Sequence, residues 1–262
     1  MIDLHTHILP GVDDGVETED EAVEFARMAL DDGTRIMVAT PHCKEGSWDN
    51  QRDAVLDRVA QLRQRLGREE LELELQPGAE VHLCADLVAR VRDGRAPTLA
   101  DNGKTLLLEL SLTQYPVELE NLIFELRLAG LDVLLAHPER IRYFQEDPQR
   151  YEAVILGGAY GQVTTGSILG TFGSRAREYS EELLRKGLVH VLASDAHNTR
   201  RRSPVLTPAL EALVPLVGQR FATSMVEETP RALLEGRTPE VPPVDGEATR
   251  RTTFLSKIFR RG

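Results

Sequence analysis

The chain has 262 residues, a length that can form one large core. Its formal net charge of −11 argues against nucleic acid as the main partner. It opens with no basic and apolar signal segment, and no stretch reaches the ~18 apolar residues of a membrane span. Two cysteines form no disulfide framework and suit a reducing compartment, so we expect a soluble cytoplasmic protein.

Strand-like apolar runs and amphipathic helix-like segments alternate along the chain. The predicted strands are IDLHTH, RIMVATPH, LELELQPGAE, TLLLELS, LDVLLAH, GQVTTG and LVHVLASDAH. The predicted helices cover residues 18–33, 51–66, 84–93, 117–129, 148–156, 174–186, 205–216 and 229–235. About seven such units predict an α/β protein with a parallel sheet, closed or nearly closed into a barrel, and an open doubly wound sheet is the alternative.

Composition changes towards the C-terminus. The segment TPEVPPVDGEAT at 238–249 is rich in proline and predicts a linker. Residues 250–262 hold five basic residues, no acid, and four large apolar residues at helical spacing. This tail either contacts an anionic membrane surface or a partner, or is a disordered terminus. We expect one domain over 1–237, followed by a linker and basic tail over 238–262.

Histidines and carboxylates lie at or near the ends of the predicted strands. This set is His5, His7, His42, Glu80, Glu109, His137, Asp195 and His197. The carboxyl ends of the strands in an α/β barrel open on one rim, so these side chains are expected to converge there. Because several carboxylates buried together without cations would be very costly, the set predicts a metal centre.

Two short motifs sharpen this prediction. Side chains two positions apart on a strand point to the same side, so His5 is expected beside His7, and Asp195 beside His197. Neutral imidazole and carboxylate ligands suit Mn, Fe or Zn better than Mg or Ca. Such a set can hold between one and three ions, with a carboxylate such as Glu80 bridging two of them.

The motifs DLHTHILPGVDDG, TPH, GAE, AHPER and SDAHN resemble, in order and spacing, the polymerase-and-histidinol-phosphatase (PHP) superfamily. HILPGVDDG and AHPER are most similar to bacterial manganese-dependent tyrosine-protein phosphatases of the CpsB/YwqE type. The resemblance covers about residues 1–235. It implies a distorted (β/α)7 PHP-type barrel with a metal site at the C-terminal rim of the strands. It also implies up to three ions, Mn²⁺ first and Fe or Zn as alternatives.

The resemblance further implies three ligand sets, two of which share a bridging carboxylate. The sets are His5, His7, Glu80 and Asp195 for one ion, Glu80, Glu109 and His137 for a second, and Asp14, His42 and His197 for a third. Asp13 is the weaker of two adjacent candidates. The two catalytic arginines of the family correspond to Arg140 and Arg202, with the adjacent Arg200 and Arg201 as alternatives to the latter.

By the same resemblance, the chain is expected to hydrolyse phosphotyrosine on a protein. The implied substrate is a membrane-associated bacterial tyrosine kinase that controls capsular or exopolysaccharide synthesis. Three alternatives stay open: a small-molecule phosphomonoesterase such as a histidinol-phosphate phosphatase, an amidohydrolase-like hydrolase, and a metal-loaded docking protein without turnover. The sequence leaves the oligomeric state undecided.

Two further features have competing interpretations. Cys84 and Arg90 have the Cys-x5-Arg spacing of thiol-based tyrosine phosphatases, but the residues between them predict a helix instead of a glycine-rich phosphate loop, so we interpret the match as coincidence. Trp48, the only tryptophan, follows His42 on the expected catalytic rim. It either stacks on a phosphotyrosine ring or packs within the protein.

Overall fold

Strands and helices alternate along residues 1–244, the part of the chain that this computed structural model describes. The strands are β1 (Ile2–Thr6), β2 (Ile36–Ala39), β3 (His42–Lys44), β4 (Trp48–Asp49), β5 (Glu74–Pro77), β6 (Glu80–His82), β7 (Thr105–Glu109), β8 (Asp132–Ala136), β9 (Tyr160–Thr164) and β10 (Val191–Ala193). The helices are α1 (Glu19–Asp31), α2 (Arg52–Arg68), α3 (Leu87–Arg92), α4 (Leu119–Leu128), α5 (Arg142–Glu146), α6 (Pro148–Leu156), α7 (Thr165–Ile168), α8 (Ser174–Arg185), α9 (Thr207–Val217), α10 (Gln219–Ser224) and α11 (Glu228–Leu234).

The strands form two sheets, and every pairing except β3 with β4 is parallel. The smaller sheet has the order β1-β2-β5, and the larger has the order β10-β9-β8-β7-β6-β3-β4. Backbone hydrogen bonds tie β1 to the segment after β10, because Asp195 N–H donates to the His5 carbonyl and His7 N–H to the Ala196 carbonyl, both at 2.9 Å. The predicted α/β class is confirmed.

Two of the predicted strands are broken, which corrects their expected course. RIMVATPH stops at Ala39 and resumes as β3 at His42, across Pro41, which has no N–H to donate to a ladder. LELELQPGAE stops at Pro77 and resumes at Glu80. His42 and Glu80 therefore begin β3 and β6 instead of ending strands, and they are direct partners in the pairing of those two strands.

Other predicted segments differ mainly in length. LVHVLASDAH forms a strand only over β10, and the sequence did not predict β4, α5, α7 or α10. The start of α1 is as predicted, because Glu21 N–H donates to the Thr18 hydroxyl at 3.2 Å. Among the described residues, no helix combines the length and the apolar character that crossing a membrane requires.

Both faces of the central strands are buried, as continuous apolar runs predict. Leu107 and Leu134 pack with Leu4 and Val191 in one apolar cluster. Their strand neighbours, such as Leu106, face a second cluster that includes residues of the covering helices. The alternation follows from the two-residue period of a strand.

The predicted linker and tail are described only in part. Residues 238–244 form no helix or strand, and Val244 is buried in the large apolar cluster. The remaining linker residues and the basic tail 250–262 lie outside the described residues. The boundary between 1–237 and 238–262 stays a prediction.

Candidate metal centre

Four buried side chains meet where β1, β6 and β10 come together. We call His5, His7, Glu80 and Asp195 the inner group; each is at most 2% exposed. The Nε2 atoms of His5 and His7 lie 3.2 Å apart. Each of them is 3.4–3.6 Å from Glu80 Oε2 and from Asp195 Oδ1. Ligands ~2.1 Å from one tetrahedral ion are ~3.4 Å from one another, so the inner group has the spacing of a cation site.

The inner histidines are oriented by their other ring nitrogens. His5 Nδ1 lies 2.9 Å from Gln162 Oε1, and His7 Nδ1 lies 2.7 Å from Asp13 Oδ2. A histidine that ligates a metal usually donates its second N–H in this way, which fixes the tautomer and directs the free nitrogen at the ion. Both Nε2 atoms are therefore free to bind a cation.

The loop that supplies Asp13 folds closely against His7. At Gly15, a Cβ would lie 2.3 Å from the His7 carbonyl oxygen, so only glycine fits there. Asp13 Oδ1 accepts the Gly15 N–H, and its Oδ2 accepts the His42 N–H at 2.9 Å. Asp13, the weaker sequence candidate, thus supports two histidines.

A second set lies further out, on two loops and at the start of β3. We call Asp14, His42 and His197 the outer group. Asp14 Oδ1 is 3.4 Å from His42 Nε2 and 3.3 Å from His197 Nε2. The side chain of Asp14 is 49% exposed and that of His42 is 13% exposed, so this group opens to solvent. His7 joins the two groups, because its ring centroid lies 3.8 Å from that of His197.

The remaining candidates surround Glu80 in a pattern that differs from the implied ligand sets. His137 Nε2 is 2.8 Å from Glu80 Oε1, while His42 Nδ1 is 2.8 Å from Glu80 Oε2. Glu109, however, lies with His42 at 3.7 Å and with His82 at 3.0 Å. Among the described residues, His42, Glu80 and Glu109 are one group whose ligand atoms could hold an ion, while His137 lies against the other oxygen of Glu80.

The electrostatics of the centre favour ionised carboxylates. Burial disfavours the charge on Glu80, but contacts with His5, His137 and His42 outweigh it and hold the pKa of Glu80 well below its usual range. For Asp195, burial is likewise outweighed by His5 and His7, and its pKa is lowered. Burial lowers the pKa of His42, yet Asp14 and Glu80 raise it to about 11. The carboxylates thus attract positive charge, as imidazole protons or as divalent cations that displace them.

Both arginines implied by the resemblance lie at the inner group. Arg140 Nη1 and Arg202 Nη2 each lie 2.8 Å from Asp195 Oδ2, the oxygen opposite to the one that faces the histidines. Phe172 lies beneath them, with its ring centroid 4.3 Å from Arg140 Cζ and 5.7 Å from Arg202 Cζ. Of the three adjacent arginines, Arg202 is the one that contacts Asp195.

Two ligand candidates have unusual backbone conformations. His137 and Asp195 have φ values of 35° and 51°, in the left-handed region that residues with a Cβ rarely adopt. Such strain persists only where surrounding contacts fix it, and it concentrates at functional sites. For Asp195 this conformation replaces the simple strand geometry expected from SDAH.

Sequence reasoning missed several residues of the centre. Asp3 is fully buried and its Oδ1 accepts the N–H groups of His5 and Ser194, while burial raises its pKa to about 6. Gln162 was missed because its contact with His5 joins positions 157 apart. His82, two positions after Glu80, has the pattern of a surface residue in the sequence, but it lies 3.0 Å from Glu109. Asp3 carried a signal that could have found it, a carboxylate two positions before His5 on the same side of the strand.

The surroundings of Trp48 and Cys84 bear on the competing interpretations of these two residues. The Trp48 indole stacks on the His42 imidazole, with ring centroids 4.9 Å apart and planes at 18°. Arg90 is bound by Asp86 and Glu45, each at 2.9 Å. Burial raises the pKa of the Cys84 thiol, with a further contribution from Asp86, whereas thiol-based catalysis requires a lowered pKa.

A parallel α/β scaffold with histidines and carboxylates gathered at strand ends defines a class of divalent-cation hydrolases. The chain belongs to one family with this architecture: the CpsB/CapC family of capsular polysaccharide synthesis, whose model matches residues 1–235. The expected family membership is confirmed.

Relatives and a solved structure agree with this assignment. The tyrosine-protein phosphatase YwqE of Bacillus subtilis strain 168 is 34% identical over 238 residues, covering 91% of this chain and 93% of the relative. A putative tyrosine-protein phosphatase CapC of Staphylococcus aureus is 30% identical over 202 residues, covering 77% and 79%. A crystal structure from work on YwqE and on CpsB of Streptococcus pneumoniae, described as unique metal-dependent tyrosine phosphatases, has a TM-score of 0.88. The identity to that structure is 34%, and the match covers 93% of this chain and 98% of the other.

A more distant likeness concerns the fold alone. An amidohydrolase from Mycoplasma synoviae has a TM-score of 0.57 and 13% identity, covering 98% of this chain and 94% of the other.

Proposed function

We propose that this chain is a metal-dependent protein-tyrosine phosphatase that acts in capsular or exopolysaccharide synthesis. The observation that carries the proposal is the meeting of two arginines and a buried histidine–carboxylate cluster at one residue, Asp195. One carboxylate oxygen faces the inner group and the other faces the arginines. A phosphoryl group bound at this point would lie between cations and guanidinium groups, the arrangement that phosphoryl transfer requires.

The scaffold that we propose is the distorted (β/α)7 barrel of the PHP type, with residues 1–237 as its domain. The hydrogen bonds between β1 and the segment after β10 support closure. The pairing of β2 with β5 and of β3 with β6 supports the view that each broken pair is one strand of the barrel.

The proposed ligands are the inner group, the outer group, and Glu109 and His137. The donor atoms fit divalent ions, because they are imidazole nitrogens and carboxylate oxygens at mutual distances of 2.8–3.7 Å. We propose up to three ions with Mn²⁺ as the physiological metal and Fe or Zn as alternatives. When bound, such ions lower the pKa of water and stabilise charge on phosphoryl oxygens.

The residues of the chain supply binding and orientation. Arg140 and Arg202 exchange their contact with Asp195 for the non-bridging oxygens of the substrate, where guanidinium groups form charge-assisted hydrogen bonds. Gln162 and Asp13 hold the two inner histidines in position, His5 and His7 respectively. Phenolate leaves readily, since the pKa of its conjugate acid is ~10, so the tyrosyl oxygen needs little protonation.

The proposed substrate is a phosphotyrosine protein, namely a membrane-associated bacterial tyrosine kinase that controls capsule or exopolysaccharide production. This substrate class is supported by the relatives, which are named tyrosine-protein phosphatases. The basic tail 250–262 lies outside the described residues, and we propose it as the segment that contacts the membrane surface or the partner.

The decisive experiment measures hydrolysis of a phosphotyrosine peptide by the full chain, after chelation and after Mn²⁺ is added back, with the metal content determined in parallel. We expect activity that chelation abolishes and Mn²⁺ restores. Activity that persists after the metal is gone would exclude metal catalysis. Histidinol phosphate serves as the competing substrate, and a strong preference for it would favour the small-molecule phosphomonoesterase.

A cysteine variant tests the remaining rival. Cys84→Ser is expected to keep wild-type activity, because Arg90 is engaged by acidic neighbours and the thiol is not activated. Complete loss of activity in this variant, with an unchanged melting temperature, would point to the thiol mechanism instead.

A further inference from the structure

Phe172 is the aromatic residue that contacts both arginines of the centre. Its ring centroid is 4.3 Å from Arg140 Cζ and 5.7 Å from Arg202 Cζ. Both distances lie within the ~6 Å over which a cation is attracted to the face of an aromatic ring. Arg140 comes from the turn after β8 and Arg202 from the loop after β10, so the ring is a shared contact of two separate segments.

The surroundings of Phe172 show that it does not serve as a core residue. It lies between α7 and α8 and is only half-buried. Within residues 1–244, none of the three apolar clusters includes it. A cavity of about 150 Å³ adjoins its ring. The opposing position is Gly166, where a Cβ would lie 2.6 Å from the ring, so a glycine is needed for the ring to lie where it does.

We propose that Phe172 is a positioning residue that holds Arg140 and Arg202 together for the phosphoryl group of the substrate. Two guanidinium groups that share one oxygen of Asp195 repel each other, and the negative face of the ring offsets part of this repulsion.

Attraction to a ring face is less directional than a hydrogen bond. The ring therefore keeps the two arginines paired while they move from Asp195 to phosphate. The inference rests on the proposed function for its substrate, but the placement of the two arginines can be tested without turnover.

The test compares Phe172→Leu with Phe172→Tyr in the full chain loaded with Mn²⁺. Binding of inorganic phosphate is measured by calorimetry, and KM and kcat are measured with a phosphotyrosine peptide. Phe172→Leu is expected to weaken phosphate binding and raise KM about 3- to 30-fold, the range expected for loss of cation–π contacts. Phe172→Tyr keeps the ring face and should retain wild-type values. Metal content should be unchanged in both variants.

Gly166→Ala provides a second route to the same effect. Gly166 lies in α7, where alanine is compatible with the helical backbone, so the added Cβ acts by displacing the Phe172 ring. It should weaken phosphate binding in the same direction as Phe172→Leu. Phe124→Leu, on the exposed face of α4, is the matched control and should change nothing.

The outcomes separate the two proposals. Wild-type phosphate affinity in both Phe172→Leu and Gly166→Ala would overturn the positioning role, as would a wild-type chain that binds no phosphate. If phosphate binding depends on Phe172 while the wild type hydrolyses no phosphotyrosine, the positioning role stands and the proposed substrate is wrong. The positioning role would also be rejected if Phe172→Leu lost stability and phosphate binding together while Gly166→Ala bound phosphate normally.

Discussion

The inner and outer groups of the candidate centre use the same residue types in different settings. The residues of the inner group lie on or directly beside β1, β6 and β10, and they are at most 2% exposed. In the outer group, Asp14 and His197 lie on loops and His42 begins β3, and the Asp14 side chain is 49% exposed. Ligands on buried strands are pre-organised, whereas ligands on an exposed loop can adjust. We therefore expect the inner group to bind its ion more tightly and the outer group to exchange its ion first.

The largest expected effect comes from Glu80, which joins the two groups. Its Oε2 faces His5, His7 and His42, and its Oε1 faces His137. Glu80→Gln should remove more than one ion per chain and lower kcat by more than about 100-fold. This loss is larger than the loss of about 10- to 100-fold expected when a residue that only hydrogen-bonds to a ligand is replaced. Elemental analysis together with peptide hydrolysis measures both. Glu24→Gln, on the exposed face of α1, is the matched control. Full metal content in Glu80→Gln would contradict the shared role.

Variants of the adjacent Asp13 and Asp14 test the inner and outer groups one at a time. Asp14→Asn removes a proposed ligand of the outer group and should lower metal content by one ion, with a loss of about 10- to 100-fold in activity at limiting Mn²⁺. Asp13→Asn should weaken the inner site instead, because Asp13 orients His7. Metal titration of the two variants distinguishes them, with Asp57→Asn on α2 as the exposed control. Identical titrations for Asp13→Asn and Asp14→Asn would show that the division into two groups is wrong.

Trp48 gives the smallest expected effect and a direct optical signal. As the only tryptophan, stacked on His42, it should report metal binding to the outer group through a change in fluorescence. Trp48→Ala frees the His42 ring and should raise the Mn²⁺ concentration for half-maximal activity about 2- to 10-fold, since such stacking is worth about 0.5–1.5 kcal/mol. Trp48→Phe should stay near the wild type. If Mn²⁺ does not change the fluorescence of Trp48, and Trp48→Ala needs the same Mn²⁺ concentration as the wild type for half-maximal activity, the stacking has no role in the outer group.

The same variant also addresses the substrate. If one face of the indole also contacts a phosphotyrosine ring, Trp48→Ala should raise KM for aryl and peptide substrates at saturating Mn²⁺. Unchanged KM values would leave Trp48 with its His42 contact alone.

Much of the centre could be predicted from the sequence because ligand chemistry is local. HTH places two imidazoles on one side of a strand, and the structure brings their Nε2 atoms to 3.2 Å. The order of strands and helices followed from hydrophobic periodicity, and α6 has the bounds that the sequence predicted. These features depend on residues a few positions apart, which is the range over which periodicity carries information.

Only the tertiary structure decided which distant residues support the ligands. The contact between His5 and Gln162 joins positions 157 apart, and no periodic pattern encodes it. The breaks at Pro41 and Gly78 set His42 beside Glu80, so the grouping of Glu109 with His42 depends on packing across neighbouring strands. The sequence by itself determined the kinds of candidate ligand and the order of strands and helices beside which they lie. Their partners, and the shared contact of two arginines with Phe172, were decided by the tertiary fold, because packing brings together segments that are separate along the chain.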